Sequence, residues 1–216
     1  RQETRSPDVD VLIIGGRPIR ERVAWAGPFV MNNRAELLQA MEDYQAGRLD
    51  INAYLRFALG PLRGRDRATL DGWHARFMAN KIEPIMLPKA RILVDRHRAR
   101  GDDLLVITAT NRFITEPIAL AMGIPDIIAC EPEIVDGRYT GEPTGIPSYK
   151  EGKIERLHQW LEGRDIPLAG AYFYSDSHND LPLLEQVDKP VAVDPDPALL
   201  AHARMRGWPI ISLRGD

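Results

Sequence analysis

From Leu104 onward the sequence predicts an α/β fold built on a parallel sheet. Three observations predict it: short apolar runs rich in Val, Ile and Tyr, longer stretches of helical period between them, and polar residues wherever an apolar run stops. The predicted strands are residues 104–107, 127–129, 171–174, 190–193 and 209–213. Several are too short and too apolar to be surface helices. Between them, Lys153, Leu157, Trp160 and Leu161 recur at i, i+4, i+7 and i+8, and Leu181, Leu184 and Val187 nearly do the same, so both stretches predict helices covering the sheet. Ile134-Val135 and Tyr139-Thr140 flank Asp136-Gly137, a dipeptide suited to a two-residue hairpin turn, and predict a hairpin.

Residues 20–88 have a different character. Trp25, Phe29, Leu37, Leu38, Met41, Tyr44, Tyr54, Leu55, Phe57, Leu59, Trp73, Phe77 and Met78 fall at helical spacings with no convincing strand, which predicts an all-helical insertion. Gly47, Gly60-Pro61, Gly64, Pro84 and Pro88 punctuate it through lost donors or left-handed caps. The predicted organisation is therefore a core of residues 1–19 and 89–216, with a helical cap of residues 20–88. The aromatic residues of the cap read more simply as core than as a substrate pocket.

A chain of 216 residues, 44% hydrophobic, can bury a full core. With 28 basic and 31 acidic residues its net charge is -3, which offers no basic face for a phosphate backbone; nucleic acid is not an expected partner, and a small molecule is. A single cysteine, Cys130, precludes an internal disulfide framework and points to the cytoplasm; beside Ile127, Ile128 and Ala129 it reads as packing. Residues 1–7 are polar and do not read as an export signal, and no apolar run approaches the roughly 20 residues of a membrane span.

Three constellations carry chemistry. In Tyr174-Ser175-Asp176-Ser177-His178-Asn179-Asp180 an apolar strand runs into two carboxylates four residues apart, with a hydroxyl, an imidazole and an amide between them. Mg²⁺ takes hard oxygen ligands and keeps several waters, so one or two carboxylates at a strand end are sufficient protein ligands when a phosphate supplies another oxygen. The same residues also suit a helix N-terminus, with Asp and Asn as caps and Pro182 in the first turn. In Leu105-Val106-Ile107-Thr108-Ala109-Thr110-Asn111 a buried strand delivers a hydroxyl and small residues whose exposed N–H groups could hold phosphoryl oxygens, although Thr and Asn after a strand are common turn formers too. Lys150-Glu151-Gly152-Lys153 places ammonium groups at a helix start, where the helix dipole disfavours them; Lys153 is explained there either by nearby carboxylates and phosphate or as a solvated surface residue.

In that order, a strand ending in Thr108, the helix-starting Lys153 and a strand ending Asp176-x-x-x-Asp180 resemble motifs two, three and four of the haloacid dehalogenase superfamily. Over about four fifths of the chain, the sequence is similar to its phosphoserine-phosphatase-like and histidinol-phosphatase-like hydrolases. The resemblance is carried by Asp43-Tyr44-Gln45-Ala46-Gly47-Arg48-Leu49, Thr108-Ala109-Thr110-Asn111, Asp136-Gly137-Arg138-Tyr139-Thr140-Gly141 and the stretch from Tyr174 to Leu184. It implies a Rossmann-like core with a helical cap inserted after the first strand, and a cytoplasmic, Mg²⁺-dependent phosphatase acting on a small phosphorylated metabolite such as phosphoserine or histidinol phosphate. Thr108, Ala109, Asn111 and Lys153 would bind the phosphoryl group and Asp176 and Asp180 would lie at the metal, with Asn179 a secondary candidate.

The resemblance also implies a first motif, Asp-x-Asp-x-Thr, whose first Asp attacks phosphorus and whose second is general acid and then base. The candidate is Asp8-Val9-Asp10-Val11-Leu12, which makes Asp8 the nucleophile, Asp10 the acid/base and both of them metal ligands; Leu12 stands where the family has Thr or Val. Residues 2–7 supply no apolar strand before it, and Pro7 cannot donate to a sheet. The competing reading takes residues 9–14 as the strand itself, which leaves Gly15-Gly16-Arg17 at its catalytic end and a protein that binds phospho-ligands or partners without turnover. A dinucleotide-binding start is disfavoured, because Gly-x-Gly-x-x-Gly is absent and Arg17-Pro18 stands where a pyrophosphate needs bare backbone.

Overall fold

The structure, a computed structural model, describes residues 24–26, 29–31 and 49–214. Asp8 and Asp10 lie outside the described residues, as do Asp43 to Gly47 and the first-strand region. Two short strands, β1 (Ala24–Ala26) and β2 (Phe29–Met31), pair antiparallel with Ala26 opposite Phe29. This corrects the all-helical expectation for residues 20–88. Trp25 and Phe29 stand four apart, as on a helix, but Gly27-Pro28 between them is a turn dipeptide that a helix interior would not tolerate.

The first described helix is α1 (Ile51–Leu59), capped by Asp50, whose carboxylate accepts from the N–H groups of Asn52 and Ala53. Gly60-Pro61-Leu62 makes a 3-10 turn, and α2 (Arg67–Phe77) follows, capped by Asp66. Leu55, Leu59, Leu62 and Leu70 are buried together against Cys130 and Tyr139. Each such leucine contributes about 1.5–3 kcal/mol, and together they seat the helices on the hairpin strands that carry Cys130 and Tyr139. Cys130 is buried in this cluster, and loss of hydration raises its thiol pKa, in keeping with a packing role.

The core begins with α3 (Pro88–Ala99), which opens on Pro88 as a first-turn residue. β3 (Leu105–Asn111) leads into α4 (Arg112–Ala121), and β4 (Asp126–Val135) pairs parallel with β3. β4 continues for ten residues, well past the predicted 127–129, and its distal half pairs antiparallel with β5 (Arg138–Thr144). The turn is Asp136-Gly137 as expected, both with positive φ, with Val135 opposite Arg138 and Ile134 opposite Tyr139. α5 (Glu151–Leu161) is followed by β6 (Tyr172–Ser175), α6 (Leu181–Leu184), β7 (Lys189–Val193), α7 (Pro197–Arg206) and β8 (Ile210–Ile211). β6, β7 and β8 form a second parallel sheet. The helix expected to reach Val187 stops at Leu184, because only four residues separate it from β7 and leave no room for another turn.

Ile128, Leu157 and Leu183 are buried with Leu105, Ile107 and Phe173 packed against them, so β3, β4, α5, α6 and β6 share one apolar core. Leu105 and Ile107 of β3 and Tyr172, Phe173 and Tyr174 of β6 also line a cavity of about 730 Å³. α3 docks on β6 through buried His97, whose Nδ1 donates to Asp102 (2.7 Å) and whose Nε2 accepts from the Tyr174 hydroxyl (2.8 Å).

Candidate active site

The end of β3 leaves its ladder. Ile107 is opposite Ile128, yet Asn111 is opposite Cys130, so four residues of β3 advance against two of β4 and Thr108, Ala109 and Thr110 bulge out. Their backbone groups are thereby released from the sheet, the condition under which successive N–H groups can face an anion. Thr108 Oγ1 accepts from the Thr110 N–H at 3.2 Å, which holds the bulge closed. Asn111 is buried and spends its Oδ1 capping α4, accepting from the Ile114 N–H at 3.2 Å, so that oxygen serves the helix. The turn-forming reading of this residue describes what its side chain does here.

Lys153 sits in the first turn of α5, and the turn before it is tightly made. The Tyr149 N–H donates to the Pro147 carbonyl (2.8 Å), Gly152 N–H to Tyr149 (3.0 Å) and Lys153 N–H to Lys150 (3.0 Å). Lys150 has φ 48 and ψ -122, a conformation that costs a non-glycine residue energy, held here by the hydrogen bonds on either side. A Cβ on Gly152 would meet the Pro147 carbonyl oxygen at 2.2 Å, so no other residue fits. Lys153 is not on the surface: its side chain is 7% exposed and its ammonium donates to Asp180 Oδ1, itself 11% exposed. This excludes the solvated-surface reading. The adverse helix dipole is offset by a buried carboxylate.

The Asp180 carboxylate is engaged at both oxygens, since Oδ2 accepts from Ser175 Oγ at 2.7 Å. Ser175 Oγ in turn accepts from the Ser177 N–H (3.1 Å), and Asn179 Oδ1 accepts from the Tyr149 hydroxyl (3.1 Å). Two separate contacts thus fasten the Lys153 turn to the 175–180 loop. Asp176 differs from Asp180. It is exposed at the end of β6, and no side chain among the described residues donates to it. Loss of hydration, followed by the charges of Asp180 and Asp196, raises its carboxyl pKa above the ordinary 3.8; although it reaches solvent, it lies deep enough among protein atoms and acids to be poorly hydrated. Among the described residues no cluster of three or more His, Cys, Asp or Glu side chains is arranged to hold a metal ion. Asp176 nevertheless suits one hard cation if further carboxylates join it, because a divalent ion would relieve the repulsion that Asp180 and Asp196 exert on it.

The structure therefore joins Lys153, Ser175, Asn179 and Asp180, and places Asp176 beside them. It shows no hydrogen bond from Thr108 to Lys153 or Asp176. Ser175, Tyr149 and Asp196 were not singled out in the sequence. Only Asp196 had a signal: Asp-Pro at a helix start is a capping pattern, and it caps α7 by accepting from the Leu199 N–H at 2.8 Å. Among the described residues no helix is long and apolar enough to cross a membrane.

Relatives sharpen this picture. The family model of haloacid dehalogenase-like hydrolases matches residues 17–185, beginning after Asp8 and Asp10. A histidinol-phosphatase from Neisseria meningitidis is 48% identical over 80% of this chain and 79% of its own length. A phosphoserine phosphatase from Mycobacterium tuberculosis is 32% identical over 76% of this chain and 54% of its own length. In three dimensions a Bordetella pertussis protein of unknown function superposes with a TM-score of 0.77 at 44% identity, covering 84% of this chain and 82% of that one. A substrate-bound phosphoserine phosphatase superposes at 0.59, covering 84% of this chain and 80% of its own; at 18% identity it speaks for the fold alone.

The chain belongs to the haloacid dehalogenase-like hydrolase family. Within that family it is an enzyme of the phosphatase branch, the phosphoric monoester hydrolases, and is histidinol-phosphatase-like and phosphoserine-phosphatase-like.

Proposed function

We propose that the protein hydrolyses a small-molecule phosphomonoester with Mg²⁺ through an aspartyl-phosphate. The observation that carries this reading is the asymmetry of its two acids: Asp180 is paired directly with buried Lys153, whereas Asp176, at the strand end, makes no ion pair among the described residues and feels Lys153 only at a distance. Asp176 would hold the Mg²⁺ together with Asp8 and Asp10, and Asp180 would hold Lys153. When bound, the ion would supply positive charge against the phosphate oxygens.

The protein's own residues would do the rest. A carboxylate oxygen of Asp8 forms a bond to phosphorus as the ester P–O bond breaks, and Asp10 gives its proton to the departing oxygen. Water then attacks phosphorus, passes a proton to Asp10, and releases Asp8 and phosphate. Lys153 has three N–H donors, so one can remain on Asp180 while another meets a phosphoryl oxygen. The Thr108 hydroxyl and the N–H groups of the bulge other than that of Thr110, which is held by Thr108 Oγ1, offer further donors. The helices on β4 and β5 would close over the leaving group and choose it. Histidinol phosphate and phosphoserine, named in the relatives, are the first substrates to try. The cytoplasm is the expected compartment, consistent with a lone buried cysteine.

Hydrolysis of an aryl phosphate with and without Mg²⁺, then of the two metabolites, tests this. Mg²⁺-dependent turnover lost in Asp8→Asn supports it. Phosphate binding without turnover would instead give a phospho-ligand-binding protein.

A further inference from the structure

We infer that Asp196 and His178 act together as a clamp that fixes the direction of Asp176, and that they are positioning residues for the cation site. The inference rests on the proposed metal reading of Asp176, and goes beyond it.

Asp196 touches the 176–178 segment at three points from one place. Its N–H donates to the Asp176 carbonyl at 2.8 Å. Its Oδ2 accepts from the His178 N–H at 2.7 Å and from His178 Nδ1 at 2.8 Å. Its Oδ1 accepts from the Leu199 N–H as the cap of α7. A carboxylate can only accept, so Nδ1 carries the proton in the second contact. The residue is thus fixed to a helix on one side and grips the backbone before and after Ser177 on the other. Asp176 lies within that grip; its carboxylate accepts from its own N–H, a contact within the same loop, and no side chain among the described residues donates to it. The proposed ligand would owe its aim to the loop, and the loop is held by Asp196. The imidazole fits the same role, because Nδ1 lies on the same oxygen that takes the His178 N–H, doubling the grip at one point. Outer groups that orient a ligand are typically worth about 10–100-fold in metal affinity.

The test measures binding of Mn²⁺, as a paramagnetic stand-in, to the full chain by electron paramagnetic resonance titration, with metal-free melting temperature alongside. The variants are Asp196→Asn, His178→Ala, the double variant and Asp176→Asn. Asparagine caps a helix as well as aspartate, so Asp196→Asn leaves α7 capped. The expected result is a dissociation constant raised about ten-fold or more in Asp196→Asn and in His178→Ala, no further rise in the double variant, and metal-free melting temperatures of these three near wild type. Weakening in Asp196→Asn with none in His178→Ala would make Asp196 a source of negative charge only and overturn the clamp. Independent, multiplying effects in the double variant would overturn it too, since partners in one contact are not additive. Unchanged affinity in both single variants, with binding lost in Asp176→Asn, overturns the clamp and leaves the metal reading standing. Wild-type binding unaffected by Asp176→Asn overturns the metal reading, and the clamp with it.

Discussion

Lys153 and Asp180, 27 residues apart in sequence, meet as a buried ion pair between the first turn of α5 and the loop after β6. A charged pair in such a place is held by its geometry, because each partner alone would be a buried charge without compensation. Removing the ammonium therefore has two consequences that can be separated.

Lys153→Met is expected to destabilise the protein by about 3–5 kcal/mol, the usual cost of orphaning a buried charge, and to abolish turnover. Adding Asp180→Leu should recover much of the stability and none of the activity. Denaturant unfolding and aryl phosphate hydrolysis on the single and double variants check both. Recovery of activity in the double variant would remove Lys153 from the chemistry.

The raised carboxyl of Asp176 has a sign that can be measured. Burial, then Asp180 and Asp196, hold its folded pKa above the ordinary 3.8, so the folded chain binds the proton more tightly than the unfolded one. Its contribution to stability falls as pH rises through the window from 3.8 up to the raised value, and the cost persists at neutral pH. Metal-free Asp176→Asn should melt higher than wild type at neutral pH, with the difference closing in acid. Mg²⁺ at about a hundred times its dissociation constant should add about 2.7 kcal/mol to wild type and little to the variant. Thermal melts across pH, with and without Mg²⁺, decide it.

Glu131 behaves in the opposite sense. Burial pushes its carboxyl up, but Arg112, bonded through Nε (2.8 Å) and Nη2 (2.9 Å), and Arg156 (3.0 Å) outweigh that and hold it below the ordinary 4.5. Its stabilisation is present above pH 4.5 and is lost as pH falls through the lower folded value. Glu131→Gln should lower stability at neutral pH and flatten the acid limb of the stability curve, read by urea unfolding at a series of pH values. An acid limb as steep as wild type would contradict the assignment.

Gly152→Ala should cost about 1–3 kcal/mol, the range for overpacking, because its Cβ would meet the Pro147 carbonyl. The same shift would displace Lys153, so turnover should fall more than stability does. Gly72→Ala, where a Cβ meets nothing within 4 Å and φ is not positive, as at Gly152, controls for the loss of a helical glycine. Equal effects of the two substitutions on turnover would refute the positional argument.

The strand-to-turn pattern at Tyr174 to Asp180 and the Asp136-Gly137 hairpin could be read directly, because alternation of apolar and polar residues and turn dipeptides are local signals. What could not be read was long-range pairing. Nothing adjacent to Lys153 in sequence announces Asp180, nor does anything beside Ser175 announce that its hydroxyl donates to the same carboxylate. The extent of β4 was missed because Glu131, Pro132 and Glu133 break its apolar run, yet Glu131 is satisfied by two arginines from other elements. β1 and β2 are hard to read because each is only three residues long and Trp25 and Phe29 stand at a helical i, i+4 spacing across Gly27-Pro28.

β4 is a single ten-residue strand that lies beside β3 in its first half and carries β5 in its second. The helices before the core are bolted to that second half: Arg63 Nε donates to the Thr140 carbonyl at 2.7 Å, and Arg56 and Arg63 both grip Glu142. The strand therefore works as a beam cantilevered from the sheet, with the helical layer riding on its free end. If those helices close over the leaving group as proposed, a load on them would pass along the beam to Cys130 and Asn111, at the root beside the Thr108 bulge. An opening motion that kept this beam straight would then have to turn elsewhere, at the irregular stretch where α2 gives way to the turns of Met78–Ile82 and Glu83–Ile85.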